Sequence, residues 1–153
     1  MRTPRKVCDL AKRYTEAWCS RDAAAVAACY SPNGTLTIND GTPARGRKAI
    51  AKVAQGFMDA FPDLKVTMEH FWQGNDLLNM YYLWRLDGTN TGPGGTGQRV
   101  SIAGSEEWRI SENWLITFSK GRFHEEDYKQ QLEYGFEEVE RRRELRKKSR
   151  VSS

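Results

Sequence analysis

The hydrophobic period of this chain changes from helical to alternating near residue 62, and that change limits the folds open to it. Before that point apolar residues recur at helical spacing. Val7, Leu10, Tyr14, Ala17 and Trp18 fall on one helical face that runs to about Cys19, and Thr3 before Pro4 reads as an N-cap followed by proline at the first helical position. Asp22 is placed to cap a second helix over 23–30, which Ser31-Pro32-Asn33-Gly34 ends. A short strand over 35–38 and a turn over 39–43 lead to a third helix from about 47 to 60. It carries Ile50, Val53, Phe57 and Phe61 on one side and stops at Pro62.

After Pro62 the period becomes two. Leu64, Val66, Met68, His70 and Trp72 are expected on one face of a strand, with Lys65, Thr67 and Glu69 on the other. Gly74-Asn75-Asp76 is a hairpin signal. The segment 77–86 is apolar or aromatic on both faces, as for a central strand covered on both sides. A glycine-rich loop over 89–97 precedes a strand over 99–110, with Val100, Ile102, Trp108 and Ile110 on one face, and a last strand spans roughly 114–123. Helices followed by a meander of long antiparallel strands make an α+β domain.

Charge and composition exclude several classes. Seven positive charges and one negative fall within 141–150, so the rest of this +4 chain is slightly acidic. The basic balance therefore belongs to a tail, which argues against nucleic acid as the partner of the domain. The run 141–150 reads as a solvated tail, with an acidic partner or nucleic acid as its alternative. From 125 to about 148 the chain is strongly helix-forming, with Glu137–Arg141, Glu138–Arg142 and Glu144–Lys148 at i,i+4. No stretch approaches a membrane span, and no apolar signal core follows the basic start, so a cytoplasmic protein is expected. Cys8, Cys19 and Cys29 lack metal-like spacing and read as reduced packing thiols, so no metal site is expected. Residues 92–97 formally match G-x-G-x-x-G, but they lead into a strand instead of the helix a dinucleotide needs.

Several short segments, in order, carry a family resemblance. Gly88-Thr89-Asn90-Thr91-Gly92-Pro93 followed by Gly95-Thr96-Gly97-Gln98-Arg99-Val100 resembles the "GTHTG…PTGR" loop and strand of SnoaL-like proteins. Phe61-Pro62-Asp63-Leu64, the 73–76 hairpin and Gln131-Leu132 agree in position, and Arg13-Tyr14 with Asp22-Ala23-Ala24 looks like the opening of the wider nuclear transport factor 2-like superfamily. The likeness covers about 8–135, so a SnoaL-like domain over 1–135 and a charged C-terminal helix or tail over 136–153 are expected. The resemblance implies a cone in which three N-terminal helices close a highly curved antiparallel sheet over an apolar pocket. It also implies a homodimer formed through the sheet, a small hydrophobic ligand and no cofactor. Cyclases of this type close a polyketide ring by an aldol reaction with a pocket carboxylate as acid and base.

The resemblance also fixes which residues to examine. Counting back seven residues from Gln131, the family's aspartate position holds His124, and the histidine of "GTHTG" is replaced by Asn90. Tyr14 sits where related isomerases place an oxyanion-stabilising tyrosine, while their base position falls at about Ile38. Histidine, with an ordinary pKa near 6.5, suits a base at neutral pH. His124, His70 and Tyr14 are therefore the catalytic candidates, and Asn90, Trp84, Tyr82, Trp108 and Phe57 the pocket candidates. The expected function is acid–base chemistry on a small hydrophobic, polyketide-like carbonyl compound, of aldol or enolisation type. The alternative is a non-catalytic ligand-binding or dimerisation domain of the same fold. Epoxide hydrolysis would need two carboxylates flanking an arginine, for which Glu106, Glu107 and Arg109 are the nearby set.

Overall fold

Helix α1 (Arg5–Cys19) buries Val7, Leu10, Ala11, Tyr14, Ala17 and Trp18, the stripe its spacing predicts. The computed structural model describes residues 4–76 and 78–152. Pro4 occupies the N-cap position, and the expected cap Thr3 lies outside the described residues. Helix α2 (Ala23–Ala28) begins where Asp22 accepts a hydrogen bond from the Ala25 amide at 3.0 Å. It ends before Tyr30, because Tyr30 is fully buried and opens strand β1 (Tyr30–Ile38), which continues through Pro32 and Gly34. A two-residue strand β2 (Ala44–Arg45), not anticipated from the sequence, pairs with β1. Helix α3 (Arg47–Ala60) buries Ile50, Ala54 and Met58 and leaves Phe57 half-buried.

Four long strands follow: β3 (Lys65–Gln73), β4 (Asn79–Thr89), β5 (Arg99–Ile110) and β6 (Ile116–Phe123). Leu77, expected to open the central strand, lies outside the described residues. The six strands form one sheet in the order β2-β1-β6-β5-β4-β3, antiparallel throughout except for the β1–β6 pair. This is the expected α+β cone, with α1 to α3 over one face of the curved sheet. Val100, Ile102, Trp108 and Ile110 of β5 all point into the core, as their alternation predicts.

β3 departs from its expected pattern. Its register against β4 shifts between Met68 and His70, so that Glu69 is an extra residue with no partner. A bulge of this kind turns every later side chain to the opposite face. Val66 and Met68 keep the inward face, but beyond the bulge Phe71 packs inward against Tyr82 and Trp108. His70 and Trp72 turn outward instead of sharing the core face, and Trp72 stacks on Tyr81.

The C-terminal segment, read as one helix from 125, is two. Helix α4 (Glu125–Tyr134) ends at Gly135, whose φ of 88° suits glycine, and α5 (Phe136–Ser152) starts after it. The first turns of α5 dock on the body. Val139 is buried, Glu137 pairs with Arg99, whose guanidinium lies over the Phe136 ring, and Arg143 pairs with Asp127. Glu138 meets Arg142 at the expected i,i+4 spacing and Arg141 at i,i+3. Among the described residues no helix is long and apolar enough to cross a membrane.

Candidate functional site

The concave face of the sheet, together with α1 and α3, encloses a cavity of about 60 Å³. Six aromatic residues line it: Tyr14, Trp18, Phe57, Tyr82, Trp84 and Phe123, with aliphatic side chains between them. Glu106 is the one acidic residue among its described walls. Alternation along β5 puts it there, since Glu106 shares its face with Ile102, Trp108 and Ile110 and is 8% exposed.

Four side chains hold this carboxyl. Ser119 Oγ donates to Oε1 at 2.6 Å and the Trp108 indole N–H donates to the same oxygen at 3.1 Å. Tyr14 Oη lies 2.9 Å from Oε1 and 3.1 Å from Oε2, and Tyr30 Oη lies 3.5 Å from Oε1 and 3.2 Å from Tyr14 Oη. An indole N–H can only donate, so Oε1 is fixed as an acceptor. Oε1 thus takes the hydrogen bonds of Ser119 and Trp108, whereas the described partner of Oε2 is Tyr14 alone.

The electrostatics follow from burial. Desolvation raises the Glu106 pKa above its ordinary 4.5, against the lowering effect of hydrogen bonds from Ser119, Trp108, Tyr14 and Tyr30. The Tyr14 and Tyr30 hydroxyls are pushed well above their usual value, first by burial and then by the nearby Glu106 charge. Both stay protonated at neutral pH and serve as donors. Tyr82 is likewise raised, mainly by burial, and its hydroxyl meets Thr15 Oγ1 at 2.6 Å. Trp108 stacks on Tyr82 with ring centroids 5.0 Å apart, and the Tyr14 ring stands edge-on to both, which locks the Tyr14 hydroxyl toward Glu106.

The three histidine-centred candidates do not converge. Tyr14 lines the cavity, but His124 is exposed at the end of β6 and caps α4, its Nδ1 accepting from the Asp127 amide at 3.0 Å. Phe123, the residue before it, takes the inward place, because neighbours on a strand face opposite ways. His70 is exposed on the outer face beyond the β3 bulge. Asn90 is buried but belongs to its loop, donating to the Ala60 carbonyl and accepting from Thr96. It ties the glycine-rich loop to the end of α3, outside the cavity lining. Trp84, Tyr82 and Phe57 line the cavity, and Trp108 supports Glu106 from behind. Ile38 is an apolar wall, whereas Glu107 and Arg109 lie on the outer face, so they do not join Glu106 in a carboxylate–arginine cluster.

Sequence reasoning missed Glu106, Tyr30 and Ser119 as a set. The signal for Glu106 was the alternation itself, since an acid between two apolar inward positions of one strand must enter the core. Ser119 and Tyr30 carried no such signal, because their role depends on β1 and β6 lying beside β5.

A curved sheet closed by three N-terminal helices over an apolar cavity with a buried acid defines a nuclear transport factor 2-like cone. Residues 11–118 match the SnoaL-like domain family, and the chain belongs to it. Among solved structures, a Jannaschia sp. CCS1 protein assigned as a SnoaL-like polyketide cyclase superposes with a TM-score of 0.75 at 14% identity. The match spans 88% of this chain and 96% of that one. A Catenulispora acidiphila protein with a ketosteroid isomerase-like fold, in complex with trimethylamine, gives 0.71 at 16% identity over 86% and 94%. SalBIII, an epoxide hydrolase/cyclase-like enzyme in pyran ring formation in salinomycin, gives 0.70 at 17% over 80% and 94%. At these identities the likeness is one of fold. No curated protein matches the chain in sequence.

Proposed function

We propose that the protein is a cofactor-independent enzyme that enolises a small hydrophobic carbonyl compound, in a cyclase- or isomerase-type reaction, with Glu106 as the proton carrier. The observation that carries this reading is a carboxyl buried in an apolar cavity, with one oxygen fixed as acceptor and the other held by a single tyrosine. Burial moves its pKa toward the range in which a carboxylate is an effective base at neutral pH.

In this scheme Glu106 Oε2 takes a proton from the carbon next to the substrate carbonyl. The C–H bond breaks, an O–H bond forms, and the electron pair moves onto the carbonyl oxygen. Once Glu106 is neutral it no longer competes for the Tyr14 hydroxyl, which is then free to donate to the enolate oxygen. The neutral acid then returns its proton, either to another carbon of the enolate or to the alkoxide formed when the enolate attacks a second carbonyl. The first course is isomerisation and the second an aldol cyclisation. A cavity of about 60 Å³ has room for only about four to six water-sized volumes, so the part of the substrate beside Glu106 is small unless the aromatic walls give way.

The test is turnover of small ketones and diketones by wild type, Glu106→Gln and His124→Ala. The reading expects wild-type activity that His124→Ala keeps and Glu106→Gln loses. Ligand stabilisation with no product from any of the three would replace it with a non-catalytic binding domain.

A further inference from the structure

We infer that Gly121 sets the size of the group this pocket admits beside the Glu106 carboxyl, an inference that rests on the cavity being the ligand site. Gly121 is buried on β6, lines the cavity and is the direct cross-strand partner of Glu106 on β5. A glycine in the middle of a strand weakens it and needs a reason.

Two ordinary reasons fail here. The backbone of Gly121 does not have the positive φ that favours glycine. Crowding is also absent, since a Cβ at this position would meet Glu106 Cγ and the Thr37 carbonyl at 3.7 Å and Ile38 Cγ1 at 3.8 Å, all ordinary contacts. Gly104, the next inward residue on β5, shows the contrast. A Cβ there would come within 2.3 Å of the Trp84 ring and 2.6 Å of the Arg122 carbonyl, so packing alone demands glycine. What the missing side chain of Gly121 leaves is open cavity next to the only acid in the described lining. A larger residue would fill the space where a substrate carbonyl must approach Oε2.

Xenon, which enters dry apolar cavities, measures that space without any substrate. Saturable xenon shifts at the methyl groups of Leu36, Ile38 and Val66, which line the cavity, are expected in wild type. Gly121→Ala should weaken them, Gly121→Val should abolish them, and the Tm of Gly121→Ala should stay the same or rise by up to about 4 °C. Wild type without saturable shifts, Gly121→Val binding xenon as wild type does, or a Tm several degrees lower in Gly121→Ala would each overturn the inference. Glu106→Gln keeps the cavity walls and should bind xenon, so survival of turnover in that variant would sink the acid–base reading while leaving the role of Gly121 standing.

Discussion

Strands β3 and β5 flank the same strand, β4, and both read as alternating apolar and polar residues, yet only one keeps its phase. β5 pairs with β4 without interruption from Arg109 to Arg99, so every second residue points inward and Glu106 enters the core with Ile102 and Trp108. β3 inserts Glu69 without a partner, and the phase of the following residues inverts. One unpaired residue thus decides that a histidine faces solvent, while an unbroken register puts an acid in an apolar cavity. Alternation fixes a face only as far as the ladder stays in step.

That contrast can be broken from either side. The largest effect is expected at Glu106, where Glu106→Gln should lower turnover of a carbonyl substrate by roughly 10²- to 10⁴-fold with the fold intact. Stability effects in urea denaturation come next. Phe71→Ala should cost about 2–4 kcal/mol in the same assay, whereas His70→Ala should stay within about 0.5 kcal/mol. An equal cost for the two would mean that the register shift is not there. His124→Ala should cost about 1 kcal/mol through the lost α4 cap, recover with His124→Asn, and leave kcat unchanged.

The raised pKa of Glu106 adds a pH dependence with a definite sign. The folded state holds this proton to higher pH than the unfolded chain does, so the contribution is fully present below the ordinary value of 4.5. It is lost as pH rises through the folded-state pKa. The Tm of Glu106→Gln relative to wild type should therefore increase from about pH 4 toward neutrality. A difference that stays flat would mean that Glu106 titrates as it does in the unfolded chain.

Most of the fold was legible because it rests on local periodicity. The stripe on α1, the Asp22 cap and the inward face of β5 all follow from spacing alone. The stop of α2 was misplaced because Tyr30 is claimed by the core and begins a strand, an outcome of tertiary packing that no local turn signal reveals. The candidate site was half legible. Tyr14 and the aromatic walls Tyr82, Trp84 and Phe57 came from the sequence, but attention fixed on the histidines, the usual neutral-pH bases, and on a position counted along β6. Glu106 stands in the sequence beside Glu107 and Arg109, and only the phase of its strand separates it from those two outward residues. The grouping of Tyr30, Ser119 and Trp108 around it depends on which strands lie side by side.

The central claim is that Glu106 is a buried proton carrier, and ¹³C NMR titration of the glutamate carboxyls tests it without a substrate. One carboxyl resonance should titrate clearly above 4.5 and be missing from Glu106→Gln. If every glutamate resonance instead titrates at or below 4.5, and the spectrum of Glu106→Gln lacks one of these, the account of the site is wrong.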